Sequence, residues 1–201
     1  MRYPVPASTY RTTETIQRSR FITTIERVST VAEAEAFVAR VRAEFPDATH
    51  NCWAYVVGPP GSTARVGMSD DGEPHGTAGR PMLTMLLHGG VGDVAVVVTR
   101  YYGGTKLGTG GLVRAYGGCV QQALASAPRA EKVALVRARV TVDHASVSAL
   151  QRLLPTLEAS VVAQEWDAQV ALDVELPEGR VEELRRAVGD VTRGKGVVTT
   201  D

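Results

Sequence analysis

The hydrophobic pattern of this 201-residue chain starts over after Lys132. From there "VALVRARVTV" alternates as a strand and "DHASVSALQRLLPTL" has helical spacing. "ASVVAQEWD" and "AQVALDVEL" read as a strand pair, "EGRVEELRRAVGDV" as a second helix and "KGVVTT" as a last strand. Period-two and period-3.6 spacings alternating in that order predict βαββαβ, the ferredoxin-like arrangement, over residues 133–201. Pro155 should end or kink the first of these helices, because it has no backbone N–H to donate. The expected organisation is therefore α+β in two domains, residues 1–132 and 133–201, joined near Ala130.

The first domain carries its own pattern. "SRFITTIERV" alternates as a strand, and Thr30 with Glu33 three residues later supplies a capping box for the helix "VAEAEAFVARVRAEF". "ATHNCWAYVVG" is a further strand, with His50, Cys52 and Ala54 on one face and Asn51, Trp53 and Tyr55 on the other. "DVAVVVTR" is almost wholly apolar, which predicts a central strand covered on both sides. "PMLTMLLHGG" is a helix with Pro81 in its first turn and Gly89 at its stop, and "LVRAYGGCVQQALASA" is the last helix.

Composition adds little beyond a class. With 44% apolar and 22% charged residues the chain is globular, and no apolar run approaches the length of a membrane span. The opening "MRYPVPASTY" has no signal-like apolar core, so a cytosolic protein is expected, with no membrane partner. Cys52 and Cys119 form no CxxC pair and read as two buried thiols. The zero net charge hides an asymmetry: 14 Lys+Arg against 11 Asp+Glu in residues 1–132, and 8 against 11 in residues 133–201. The first domain is thus the better partner for an anion.

Two loops concentrate the chemistry. "SDDGEPHGTAGRPM" offers Asp70, Asp71, Glu73 and His75, but the oxygen spacing does not suit calcium and nitrogen or sulfur donors for zinc are too few. No metal and no cofactor are expected. Gly72, Gly76, Thr77, Gly79 and Arg80 around those acids read as a shaped loop, although one carboxylate could serve as a base. "RYYGGTKLGTGGLVRAY" matches neither the phosphate loop GxxxxGK[ST] nor GxGxxG, since Val113 stands at the third glycine. What it offers is a general anion device. Gly103, Gly104, Gly108, Gly110 and Gly111 expose backbone near a helix start, Arg100, Lys106 and Arg114 surround them, and Tyr101 and Tyr102 present faces for stacking. A structural alternative is that Arg100 pairs with Asp70 or Asp71 and holds the two loops together.

At these stretches the sequence resembles the IMPACT/YigZ family. The resemblance rests on "ATHNCWAYVVG", "SDDGEPHGTAGRPML", "SRFI" and above all "VVVTRYYGGTKLGTGGLVRAYG", and covers most of residues 18–120. His75 stands where the family more often has serine, which argues against a shared catalytic hydroxyl there. The resemblance implies a ribosomal-protein-like βαβ N-terminal domain and a C-terminal domain similar to the last domain of elongation factor G. It also implies translational control, since eukaryotic relatives bind a partner of a stress-responsive kinase.

Three functions are compatible with these readings. A non-enzymatic translation regulator would bind RNA or a ribosome-associated protein through the first domain. A protein-interaction regulator would use both loops as a docking surface without RNA. A hydrolase acting on a phosphorylated small molecule would use Asp70, Asp71 or Glu73 as base. The sequence leaves the oligomeric state open.

Overall fold

A computed structural model of the chain describes residues 2–200. The chain divides into two compact units, Tyr3–Lys132 and a unit that joins Val133 onward with Arg2.

The first unit contains β1 (Arg2–Pro6) and β7 (Arg129–Val133) apart from their outer residues Arg2 and Val133, and between them β2 (Tyr10–Ile16), β3 (Ser19–Arg27), α1 (Val31–Glu44), β4 (His50–Val56), β5 (Val66–Ser69), α2 (Gly79–His88), β6 (Val94–Tyr101) and α3 (Gly108–Ser126). Five strands form an antiparallel sheet in the order β2-β3-β6-β4-β5. The apolar run of β6 takes the centre, as expected. Val94, Val96 and Val98 pack with Cys52, Ala54 and Val56 under α2 and α3. Ala95 and Val97 pack with Tyr55 and Val57 under α1. Burying each such side chain contributes roughly 1.5–3 kcal/mol, which is why this strand cannot lie at an edge.

Half of the capping box closes as read from the sequence, with Glu33 N donating to Thr30 Oγ1 at 3.1 Å, while the Glu33 carboxylate reaches one residue further back and accepts from Ser29 N at 2.7 Å. The connections have an unusual property. β3 and β4 are parallel to each other because both are antiparallel to β6, and β5 and β6 are parallel because both are antiparallel to β4. Their crossover helices, α1 and α2, lie on opposite faces of the sheet. A half-turn about the sheet normal superimposes the two strand paths without exchanging the faces, so the two crossovers have opposite hands. One of them departs from the right-handed rule.

Four strands of this unit were not expected. β2, "YRTTETI", is an edge strand half exposed along its length, and its threonines hide the alternation. β5 is four residues long, and β1 and β7 pair in a separate ribbon. Asp93 ties this ribbon to the body: its carboxylate accepts from Gly58 N at 2.8 Å and Tyr3 Oη at 2.9 Å, and pairs with Lys132.

The second unit comprises β8 (Leu135–Val142), α4 (Val147–Leu153), β9 (Ser160–Trp166), β10 (Val170–Pro177), α5 (Val181–Thr192) and β11 (Val197–Thr200). The order β11-β8-β10-β9, all antiparallel, is the ferredoxin-like sheet expected from the sequence. α4 ends at Leu153 and the chain tightens into a 3₁₀ turn across Pro155. Leu150 and Leu184 from the two helices pack on Val140, Leu172 and Val174. The opposite face carries cross-strand ion pairs, Arg137 with Glu175 at 3.8 Å and Arg139 with Asp173 at 3.5 Å.

Candidate anion-binding site

Arg100 leaves the end of β6 and turns inward rather than toward solvent. Its Nη1 donates to Glu73 Oε1 at 2.6 Å, with the two side chains 5% and 3% exposed. The partner is Glu73, not Asp70 or Asp71 as the sequence suggested. The backbone explains the difference. Asp71 and Gly72 both have positive φ, 44° and 86°, so the chain reverses at that point and carries Glu73 under the loop while Asp70 faces the start of α2. Tyr116 Oη donates to the same Glu73 oxygen at 2.7 Å, and Arg100 Nη2 donates to Ser19 Oγ at 3.2 Å. The guanidinium lies between the rings of Phe21 and Tyr102, at 5.4 and 5.5 Å. Arg100 is therefore a buried cross-brace between the two loops, which do pack together.

The acidic loop is organised around Asp70. Its Oδ1 accepts from Ala78 N and Gly79 N at 3.0 and 2.8 Å, and its Oδ2 from Gly76 N at 2.7 Å. These donors open α2, so the carboxylate serves as the helix's own anion. Burial works to raise the Asp70 pKa, but the three N–H groups and nearby His75 bring it below the ordinary carboxylate value. Asp71 accepts from Asn51 N at 2.6 Å and pairs with Arg42. Neither aspartate is free to act as a base. Thr77 is buried, with Oγ1 donating to the Pro74 carbonyl at 2.6 Å, and Gly79 packs against the Ser69 backbone.

His50, given no role from the sequence, belongs to this cluster. Its Nδ1 donates to the Asp71 carbonyl at 2.8 Å, and Nε2 faces Glu73 Oε2 at 3.8 Å. Tyr116 carried a readable signal: it shares the buried face of α3 with Leu112, Cys119 and Val120, and a buried phenol needs a hydrogen-bond partner. Ser19 and His50 carried none. Cys52 donates to the Asp70 carbonyl at 2.9 Å, and burial pushes its thiol well up. Burial likewise moves Cys119 up to about 12, so neither is a thiolate nucleophile. Among the described residues no three His, Cys, Asp or Glu side chains are grouped to hold a metal ion.

The basic loop divides by role. Gly103 is structural: its N–H donates to Ser19 Oγ at 3.3 Å, and a Cβ there would lie 1.9 Å from the Arg18 carbonyl oxygen. Tyr101 is occupied too, since its hydroxyl donates to Asp47 at 2.8 Å, raising its pKa, and its ring lies under Arg20. Tyr102, by contrast, is 45% exposed. Gly104 and Gly108 adopt positive φ, 85° and 72°, turning the chain into α3. Gly110 and Gly111 lie in the first turn of that helix, whose start has neither a side-chain cap among the described residues nor an acidic residue. Lys106 is exposed just before it.

A cavity of about 360 Å³ opens beside this helix start. Glu73, Arg100 and Lys106 contribute its polar lining, and Pro74, Tyr102 and Leu112 its apolar part. On the other side of α3, Arg80 and Arg114 line the groove between α2 and α3. Of the predicted anion-binding residues, Tyr102, Lys106 and Gly108 thus line the cavity, whereas Arg114 lies in the α2–α3 groove with Arg80, read as part of the acidic loop. Arg100, Tyr101 and Gly103 have internal partners.

Residues 17–124 match the family model of the Impact N-terminal domain, and residues 140–195 that of a domain of unknown function, DUF1949. The chain belongs to the IMPACT family. It is 43% identical over 190 residues to the IMPACT family member YigZ of Escherichia coli K12, covering 94% of this chain and 93% of that one. It is 39% identical over 196 residues to an IMPACT family member of Haemophilus influenzae, covering 98% and 95%. Among solved structures, one described as a hypothetical protein is 41% identical with a TM-score of 0.72, covering all of this chain and 97% of its own. The family match to the first unit contains both loops and every residue of the cavity. No helix among the described residues is long and apolar enough to cross a membrane.

Proposed function

We propose that this IMPACT-family protein is a cytosolic, translation-associated regulator that binds RNA through the surface around the start of α3. The observation that carries this reading is a helix start free of acid, with Lys106 and Arg114 beside it, Arg80 across the α2–α3 groove, and Tyr102 exposed at the cavity rim. Helix N–H groups and basic side chains position phosphates, while an exposed aromatic ring stacks a base of any identity. The net positive charge of residues 1–132 supports the same assignment.

With Arg100 held by Glu73, the phosphate contacts pass to Lys106, Arg114 and Arg80. Filter binding of unstructured RNA at several salt concentrations tests the reading. Affinity should fall with salt at a log–log slope of roughly −0.7 per phosphate contact, and alanine at Lys106 or Arg114 should make the slope shallower by about one contact. Absence of salt-dependent binding at low ionic strength would refute RNA binding and leave protein docking as the function of this surface.

A further inference from the structure

We propose that the cavity between the two loops takes one nucleoside 5′-phosphate, either free or as the 5′ end of an RNA strand, with the phosphate at the start of α3 and Lys106 and the base against Tyr102. This rests on the RNA reading of the same surface and states what that surface selects.

The charge balance favours an anion. Glu73 and Arg100 neutralise each other at 2.6 Å, and no acid lies in the first turn of α3, so Lys106 and the positive helix end supply the uncompensated charge. A terminal phosphate carries about −1.5 to −2 charges near neutral pH, more than the single charge of an internal phosphodiester, and so gains more there.

The cavity lining also includes one buried polar group short of a partner. Arg100 is 4% exposed, yet its Nε donates to none of the described groups. Glu73 Oε1 accepts from both Arg100 and Tyr116, and Oε2 faces His50 Nε2 at 3.8 Å. Unsatisfied groups at such burial call for a ligand or water to complete them. An oxygen acceptor for Arg100 Nε is a feature of a ribonucleotide.

The rest of the lining selects the ligand body. Pro74, Leu107, Leu112 and the exposed ring of Tyr102 make an apolar, aromatic wall suited to a planar base. At about 360 Å³ the cavity lies in the range for one small ligand, so it takes a single nucleotide of a strand. The same unit shows how an anion seats at such a helix start: at α2 the Asp70 carboxylate gathers three backbone N–H groups at 2.7–3.0 Å.

The test uses the full chain and two forms of one short single-stranded oligoribonucleotide, bearing a 5′-phosphate or a 5′-hydroxyl, with adenosine 5′-monophosphate and adenosine as competitors. The 5′-phosphorylated strand should bind about tenfold tighter or more, the scale of hydrogen bonds to a charged group. The monophosphate should compete and adenosine should not. Lys106→Ala, at an exposed position, should erase most of that preference without lowering the melting temperature, whereas Tyr102→Ala should weaken the two strands alike. Equal binding of the two strands, with no competition by the monophosphate, would overturn the inference and leave the RNA reading standing. Monophosphate binding without strand binding would support the cavity and refute the RNA reading. No binding of any probe would refute both.

Discussion

Two helices of the first unit begin in glycine-rich loops, and they begin differently. α2 starts on an anion that the chain supplies, because Asp70 accepts from Gly76, Ala78 and Gly79. α3 starts on none among the described residues: Leu107 is its cap residue, Gly108-Thr109-Gly110-Gly111 its first turn, and Lys106 and Arg114 are the charges next to it in sequence. Every helix leaves its first N–H groups without intrahelical partners, so a start must be capped by the chain, by water or by a ligand. The difference teaches that a glycine-rich loop by itself does not mark a binding site. Glycines at α2 let the chain reach its own carboxylate, and those at α3 open a helix start that no described side chain caps.

The brace between the two starts gives the largest expected effect. Glu73→Ala leaves Arg100 buried without its counter-charge and removes the acceptor of Tyr116, so it should cost about 3–5 kcal/mol in urea unfolding. A loss under 1 kcal/mol would mean that the two loops are not coupled through this pair. Next comes Gly103→Ala, whose added methyl meets the Arg18 carbonyl at 1.9 Å. It should cost roughly 1–3 kcal/mol as an overpacked contact between backbones that cannot both yield. An unchanged melting temperature would return Gly103 to the list of ligand-binding glycines.

Asp70→Asn tests the self-capped start, with an expected loss of about 1 kcal/mol. The pH dependence has a definite sign. The folded pKa of Asp70 lies below its unfolded value, so its contribution is full above the unfolded value, about 3.9, and is lost as pH falls through the folded value. Wild type should therefore lose stability relative to the variant on acidification below about pH 4, and parallel stability curves through that range would contradict the capping role. Thr109→Asp makes the open start resemble the closed one. An acid in the first turn of α3 should stabilise the fold by about 0.3–1 kcal/mol and weaken RNA binding at the same time. Stabilisation with undiminished binding would separate the helix start from the ligand.

The elements that repetition encodes were legible. The apolar run of β6, the Thr30 cap of α1 and the βαββαβ order after Lys132 are local patterns, and the structure contains each. The partner of Arg100 was not legible, because three carboxylates lie within four residues and the reversed backbone at Asp71 and Gly72 decides which one faces inward. Ser19 and His50 join the cluster from β3 and β4, far away in sequence, with nothing local to announce them. The four unexpected strands are short, polar or at edges, where burial imposes little alternation. Of the basic loop's ten predicted anion-binding residues, Arg100, Tyr101 and Gly103 have partners within the protein, and sequence does not show which way a loop side chain turns.

The contrast between the two helix starts can be measured amide by amide. In a ¹⁵N-resolved titration of the full chain with a 5′-phosphorylated oligoribonucleotide, the amides of Gly108, Thr109, Gly110 and Gly111 should shift progressively. Those of Gly76, Ala78 and Gly79, already bonded to Asp70, should stay in place. Shifts at the start of α2, or none at the start of α3, would contradict the account.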